Sequence, residues 1–586
     1  MTDKVAEVNN LISGDEKGEW IANLWDTYHN QMQSKINDWI EIQEYIFATD
    51  TTTTSNSTLP WKNSTTLPKL CQIRDNLHSN YLSALFPNDS WLQWKGYSKK
   101  DSSRRKAKII TAYMENKTRE ARYRQEISRL LYDYIDYGNA FMGVTFEKRY
   151  NKRKDGTLIP GYIGPRAYRI SPQDIVFNPL ASTFEDTWKI VRSVKTLGEL
   201  KKMAVDEPGN EFWTKALERR EAIGRKLGSY SAEDFEKAVS FQVDGFGNLY
   251  EYYTSQSIEI LEFYGDYHDY NTGVLETGRI ITVVDRCYAV RDEPIPTLDG
   301  RAAIRHVGWR LRPNNLWAMG PLENLVGMQY RIDHLENLKA DAMDLVVHPP
   351  LKIKGEVEEF VWGPSSEIHL DENGEVEEVS KSMNAILVAD NHIQDLEDRM
   401  ELYAGAPREA MGIRSPGEKT AFEVQKLDNA ASRIFQEKIT AFEINGMEPN
   451  LNDQLEIAVR NFDGSDVIRT MDNDLGVTEF TTITVDDITA NGVVRPVGAR
   501  HFAEAANQLQ NILGIANSPI WDMVKPHTSA VALTEFIEDV TALQGYDMFR
   551  ENVGIEEAKQ TAALANQGGE DLQVQAAQPV NPAGLK

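Results

Sequence analysis

A mixed α+β fold is what this sequence predicts, with long helices in the second half of the chain. Three observations predict it. Apolar residues recur at helical spacing over long stretches, as in Trp20, Leu24, Trp25, Tyr28, Met32, Ile36, Trp39 and Ile40. Runs of strand-forming residues bounded by turn signals interrupt those stretches, as over Gly138–Phe177. Two helical patterns flank a short, acidic, strand-rich insert at 351–390. At 586 residues the chain exceeds one compact core, so two or more domains are expected.

The first helix is expected over 15–48, followed by a Thr/Ser/Asn-rich loop at 50–67. Helical patterns resume over 68–85 and 101–137. Strands follow from Gly138 to Phe177, turning at Lys154-Asp155-Gly156. Residues 196–240 are helical and charged, and 248–311 return to strands, with Ile280 to Val284 as a buried run. Pro321 then opens an apolar stripe at Leu322, Leu325, Val326, Ile332, Leu335, Leu338, Ala342 and Leu345, about 40 Å of helix. Pro349-Pro350 stops it. The insert carries ten acidic residues against three lysines, with turns at Gly363-Pro364 and Asn373-Gly374. A second helix is expected over 391–404, broken by Gly405-Ala406-Pro407. A third runs from Pro416 to Phe462, kinked near Gly446 and Pro449. Strand residues return at 479–485, and helices are expected at 498–515 and 529–562. The Gln-, Ala-, Pro- and Gly-rich stretch 567–586 is expected to be disordered.

Charge and cysteine usage narrow the function. The chain carries 89 acidic and 63 basic residues, a net −26. A protein that grips nucleic acid over its whole surface is basic instead, so DNA contacts must come from local clusters. Cys71 and Cys287 lie far apart and offer no disulfide framework or thiolate metal site. Met1-Thr2-Asp3-Lys4 lacks the basic and apolar regions of a signal peptide, and no apolar run has membrane-spanning length.

Few motifs carry chemistry. Gly412-Ile413-Arg414-Ser415-Pro416-Gly417-Glu418-Lys419-Thr420 approaches a phosphate-binding loop, but Glu418 separates the glycine from Lys419. No strand precedes it, and Pro416 removes an amide that would cradle a phosphate. The same residues describe a helix start: Ser415 as N-cap, Pro416 at the first position, Glu418 three residues after the cap. A nucleotide-hydrolysing enzyme using 412–420 is therefore the alternative function. Asp472-Asn473-Asp474 and Asp463-Gly464-Ser465-Asp466 resemble fragments of calcium loops without the closing glutamate. The histidines show no paired ligand spacing, and no nucleophile elbow appears. No metal, cofactor or catalytic residue is expected. The breaker-rich stretch 405–419 gathers Arg408, Arg414 and Lys419, candidates for phosphate contact in an acidic chain. On composition alone, a solvated loop balanced by Glu409 and Glu418 is the better reading.

The order helix, strand-rich insert, helix, breaking loop, long helix resembles the portal (head-to-tail connector) proteins of tailed bacteriophages, most like those of podovirus type. Four stretches carry the likeness. Tyr137-Gly138-Asn139-Ala140-Phe141 resembles the family's turn into the wing strands, and Ile170-Ser171-Pro172-Gln173-Asp174-Ile175-Val176-Phe177-Asn178-Pro179 its wing strand and turn. Gly320-Pro321-Leu322-Glu323-Asn324 is similar to the opening of the first stem helix. Gly417-Glu418-Lys419-Thr420-Ala421-Phe422-Glu423-Val424 resembles the start of the long helix after the tunnel loop.

The resemblance implies a portal-type fold with a mixed α/β wing, long stem helices, a small β-rich clip and a helical C-terminal crown. By it, 1–318 is wing, 319–347 a stem helix, 348–390 the clip, 391–404 a stem helix and 405–418 the tunnel loop. Residues 419–525 complete the long helix and wing, 526–566 form the crown, and 567–586 are a disordered tail. It implies a non-enzymatic homo-oligomeric ring, usually of twelve, at one capsid vertex of the virion, assembled in the host cytoplasm. Double-stranded DNA would pass through it without sequence recognition, touched by Arg408, Arg414 and Lys419. Phe360 and Trp362 in the clip would dock the large terminase subunit and then neck or tail adaptors. Capsid and scaffolding proteins are implied as further partners, and no membrane. A tail adaptor or scaffold protein is the other structural alternative.

Overall fold

The computed structural model describes residues 15–47, 63, 65–86, 91–98, 104–206, 213–218, 220–221, 257–269, 272–347, 351–354, 375–378, 384–404, 434–462, 464–472 and 477–497. They form a mixed α+β chain. It divides into two compact units, one of residues 1–85 and 117–462, the other of 86–116 and 463–586.

In chain order the elements are α1 (Glu16–Ile46), α2 (Lys69–Leu85), β1 (Leu92–Gly96), α3 (Arg104–Glu120), α4 (Tyr123–Asp136), β2 (Asn139–Lys152), β3 (Leu158–Ile170), β4 (Ile175–Phe177), β5 (Lys189–Thr196) and α5 (Leu197–Asp206). Then come β6 (Ser257–His268), β7 (Leu275–Val284), β8 (Tyr288–Pro294), β9 (Ile304–Gly308), β10 (Arg310–Arg312), β11 (Asn315–Met319) and α6 (Val326–Val347). The tip strands β12 (Leu351–Lys354) and β13 (Glu375–Glu378) precede α7 (Asn384–Ala404). Last come α8 (Glu448–Asn461), β14 (Ser465–Asp472), β15 (Val477–Thr484), α9 (Val485–Ile488) and β16 (Gly492–Pro496).

In the larger unit, two antiparallel sheets, β4-β5-β6-β7-β8 and β3-β2-β9, share a core with α1. The expected helix over 15–48 forms as α1, which turns Ile21, Trp25, Met32, Ile36, Trp39 and Ile42 inward. Asp15 caps it, accepting from Gly18 N at 2.8 Å, and its carboxylate also accepts from Ala289 N at 3.1 Å. One side chain thus starts a helix and holds the tip of the β7–β8 hairpin against it. Gly18 is required there, because a Cβ would sit 2.4 Å from the Cys287 carbonyl oxygen.

That hairpin tip is strained. Asp285 and Arg286 both adopt left-handed backbone, with φ of 54° and 57°, costing roughly 1–2 kcal/mol per residue. Their side chains hold the turn. Arg286 makes a bidentate pair with buried Glu259 at 2.7 and 3.0 Å and reaches Asp26 at 2.7 Å. Asp285 pairs with buried Arg220 at 3.2 Å. Burial pushes the Glu259 carboxyl up to about 8.

Aromatic rings join the two sheets. Phe141 of β2 stacks on His306 of β9 at 4.6 Å, and Phe177 of β4 stacks on Trp317 of β11 at 4.7 Å. Phe141 meets Trp317 edge-on at 5.6 Å. Such pairs contribute about 0.5–1.5 kcal/mol each beyond their buried area.

Several expectations need correcting. The helix expected over 101–137 is two helices, because the chain turns at Arg122 with φ of 57° and no glycine or proline announces it. The helix expected from Pro321 begins at Val326, after a turn closed by Leu325 N to Leu322 O at 2.9 Å. The helix expected over 391–404 begins at Asn384, so the strand-rich insert is shorter than expected. Ile386-Leu387-Val388 reads locally as strand. It belongs instead to a helical series, Ile386, Ala389, Ile393, Leu396, Met400 and Ala404, that turns toward the protein. The expected kink is present as a π-helical turn over Glu443–Met447 leading into α8. Gly446 lets it approach β9, where a Cβ would lie 2.6 Å from Val307.

In the smaller unit, β1 pairs antiparallel with β16, from Leu92↔Pro496 to Gly96↔Gly492. β14 pairs with β15 along their full lengths, in place of the single strand expected at 479–485. Thr484 and Asp487 form a capping box at the start of α9. The expected helices at 498–515 and 529–562 and the tail at 567–586 lie outside the described residues.

Candidate functional site

The hairpin α6–β12–β13–α7 is the part of the described chain that frames the sequence-predicted sites. Arg408, Arg414 and Lys419 follow α7 in the chain, and Phe360 and Trp362 lie between β12 and β13; all five are outside the described residues. What the structure places is their support.

α6 departs from ordinary helix packing. Its fully buried positions are Gln329, Ile332, Asp333, Asn337 and Asp341, four polar residues and one apolar. The four polar residues recur every fourth position, one above another on a single helix face. The segment 63–70 runs antiparallel along them. Asp341 Oδ1 accepts from Asn63 N at 2.9 Å, Asn337 Oδ1 from Thr65 N at 2.8 Å, and Asp333 Oδ1 from Leu67 N at 2.8 Å. Gln329 Oε1 accepts from Leu70 N at 3.2 Å, and its amide donates to Leu67 O at 2.6 Å. The Asn337 amide also donates to Thr65 O at 3.2 Å, so it exchanges both bonds with one residue as a neighbouring strand would.

The ladder works because two periods nearly coincide. Four helical residues rise about 6.0 Å, and two extended residues advance about 6.6 Å. Asp341, Asn337 and Asp333 therefore meet alternate N–H groups of the extended segment, and Gln329 reaches Leu70 N in the first turn of α2. Where that segment becomes α2, Lys69 forms a buried ion pair with Glu401 of α7 at 2.6 Å. α6 and α7 are joined further out by Lys339, which pairs with Asp390 at 3.2 Å and with Glu336 at 2.7 Å. Hydrogen bonding to Glu336 leads in raising the Lys339 pKa.

With polar groups inside, many apolar side chains of the hairpin lie outside. Tyr330, Leu338, Met343 and Val347 of α6 are exposed, as are Leu387, Val388, Leu402 and Tyr403 of α7, with Val347 at 66% and Val388 at 68%. Apolar periodicity predicts Leu338 on a continuous buried face; here only Leu322, Leu325 and Ile332 of that series are buried. The signal missed was Gln329-x3-Asp333-x3-Asn337-x3-Asp341, visible in the sequence but hidden behind the better-known apolar periodicity.

The tip strands pair in register from Leu351↔Glu378 to Lys354↔Glu375. Lys352 meets Glu377 at 3.1 Å and Lys354 meets Glu375 at 3.5 Å, both exposed. Such pairs fix register more than they stabilise.

Two of the stretches that carry the portal likeness touch one another. Gly138 has φ of 71°, and a Cβ there would lie 2.3 Å from Gly320 N. Beside it, buried Asn139 donates to Tyr137 O at 2.8 Å and to Ala318 O at 3.0 Å, and accepts from Ala318 N at 2.9 Å. His306 Nε2 lies 3.0 Å from the Asn139 Oδ1, close enough to donate to it. The Gly138-Asn139 corner therefore sets where the segment leading into α6 leaves the sheets.

Among the described residues, no group of His, Cys, Asp and Glu is arranged to hold a metal ion. No described helix is long and apolar enough to cross a membrane. No protein-family model matches the chain, and no curated protein matches it.

Proposed function

We propose that this chain is a portal protein: a non-enzymatic subunit of a ring, of about twelve copies by family resemblance, that conducts double-stranded DNA at one capsid vertex. The observation that carries the reading is the α6–α7 hairpin, in which α6 turns a polar ladder inward and the two helices together leave eight large apolar side chains exposed. Exposed apolar side chains on a helical pair fit a surface that neighbouring copies cover. The order of elements supports the same reading: wing-like sheets, helix, two-stranded tip, helix, then a helix with a π turn.

In this reading α6 and α7 are stem helices, β12 and β13 belong to the clip, and Arg408, Arg414 and Lys419 sit on a tunnel loop that touches passing phosphates. Phe360 and Trp362 contact the large terminase subunit and later the neck or tail adaptors. A net charge of −26 per chain sums to roughly −300 over twelve, which discourages DNA from sticking while it slides. The energy source then belongs to the motor, in keeping with the interrupted phosphate loop at 412–420.

Electron microscopy of the purified chain tests the proposal. Rings with a central hole are expected. A monomer at every concentration, alone and with scaffolding protein, overturns it.

A further inference from the structure

We propose that the larger unit carries a second DNA-contacting surface, built from the α3–α4 corner and the β2–β3 arm, that grips duplex phosphates independently of any channel. The inference goes beyond the ring reading and does not need it. The charge distribution is the first observation. Residues 117–169 hold twelve Lys and Arg against six Asp and Glu, a net +6 inside a chain of net −26. Two of the six acids are spoken for inside the fold: Asp133 is buried against Arg169 at 2.7 Å, and Asp136 against Arg74 at 2.7 Å.

Geometry gathers part of the remaining charge on one face. Strand pairing sets Glu147 opposite Gly164, Arg149 opposite Tyr162 and Thr145 opposite Arg166, so these side chains share a side of the sheet. The end of α3 lies on that side, with Lys117 Nζ donating to Ile163 O at 2.9 Å. An alternating chain of ion pairs crosses it: Arg129 to Glu126 at 3.2 Å, Glu126 to Arg166 at 3.9 Å, Arg166 to Glu147 at 3.0 Å, Glu147 to Arg149 at 2.7 Å. Burial opposes ionisation of Glu147, yet hydrogen bonds from Arg149 and Arg166 outweigh it and hold the carboxyl below its ordinary range. The glutamates thereby orient three guanidinium groups while leaving an excess of positive charge. Arg119 and Arg122 at the helix corner, and Arg153 and Lys154 at the arm's end, are exposed around this core. Arg122 occupies left-handed backbone at the corner, a conformation that persists where surrounding structure enforces it.

The chemistry of the face favours a phosphate backbone over an acidic protein. Protein partners are anchored by apolar and aromatic residues that fill pockets. Among the described residues of 117–169, Tyr150 is the one exposed large apolar side chain. Phosphates need only cations along a line, and the strands of the arm run for about 45 Å, the length of roughly 13 base pairs.

Binding of the full-length chain to a fluorescein-labelled duplex of about 20 base pairs, followed against salt, tests the proposal; the length exceeds the arm at 3.4 Å per pair. The fourfold variant Arg119→Gln, Arg122→Gln, Arg153→Gln, Lys154→Gln should weaken binding at least tenfold. Its salt slope should fall by about 0.9 for each phosphate that the variant no longer neutralises. Arg408→Ala with Arg414→Ala should leave that difference intact, in monomer and ring fractions alike. Should the fourfold variant fail to fold, Arg119→Gln with Arg153→Gln is read in its place. Absence of duplex binding by the wild type, or an unchanged slope in the variant, overturns the proposal. So does polyglutamate that displaces the duplex and binds with higher affinity, which would assign the face to an acidic protein. A chain that never forms rings yet shows the slope difference removes the portal reading and keeps this one.

Discussion

The sheet body and helix α6 are held to their neighbours by different kinds of residue. In the body, Phe141, Phe177 and Trp317 close a contact between sheets, and buried polar groups include bridges such as Asn139 and ion pairs such as Arg286 with Glu259. In the hairpin, Gln329, Asp333, Asn337 and Asp341 are inside while Val347 and Val388 are outside. Hydrophobic burial is the main drive to fold, so the body has what it needs within one chain. The hairpin takes its inward specificity from hydrogen bonds, each with a net contribution of only about 1 kcal/mol. Its apolar surface is left for association.

The largest expected effect is in the body. Phe177→Ala should cost about 3–5 kcal/mol of unfolding free energy, seen as a lowered urea midpoint. A loss below about 1 kcal/mol would mean that the ring cluster does not hold the two sheets together.

Next in size is the ladder. Asp333→Ala removes the acceptor of Leu67 N, which is half-buried, at a cost of about 1 kcal/mol. The loss should show as faster amide exchange at Leu67 and Thr65 than at residues of β2. Equal protection in both places would mean that the segment is held by something other than the helix face.

How much of this could be read from the sequence divides along the same line. α1 and the strands from Gly138 to Phe177 were legible because apolar periodicity and burial coincide there. The split at Arg122 was not, because an arginine in left-handed backbone gives no local signal. The start of α7 was missed because Ile386-Leu387-Val388 has strand-like local preference, and only its longer series shows the helix. The polar ladder was missed because a buried polar face defeats a method that looks for apolar ones. The expected site residues Arg408, Arg414, Lys419, Phe360 and Trp362 rest on their sequence context and the resemblance.

A smaller effect separates the regions by pH. Burial lowers His306 to about 3 and leads in lowering His29 to about 4, with Arg192 and Arg286 adding to it at His29. In the unfolded chain both take up protons near 6.5. At these two positions the unfolded state binds more protons between those values, so the histidines' contribution to stability falls as pH falls from about 6.5 toward 4, while Glu259, raised to about 8, contributes in the opposite sense. Each histidine should cost up to about 1.4 kcal/mol per pH unit in that window. His306→Gln should flatten the curve of urea midpoint against pH, and an unchanged slope would mean that His306 is not held neutral.

The smallest effect on the fold should accompany the largest on assembly. On α6 the exposed apolar residues do not form one stripe. At 100° per residue, Tyr330 and Leu338 lie about 80° apart, Met343 and Val347 about 40° apart, and the two pairs are separated by about 100° or more. Two distinct flanks are what a head-to-tail ring needs, since each copy presents one patch forward and another backward. A two-fold dimer would need one self-complementary patch. Tyr330→Glu and Val347→Glu should each leave the urea midpoint within about 0.5 kcal/mol of wild type, as surface changes do. Each alone should abolish rings. Mixed together, they retain one intact pair of flanks, the Val347 side of the first variant against the Tyr330 side of the second. The mixture should therefore form pairs that cannot extend, seen as a species of twice the subunit mass. Restored rings, or no pairs at all, would show that the two flanks do not meet one another around a ring.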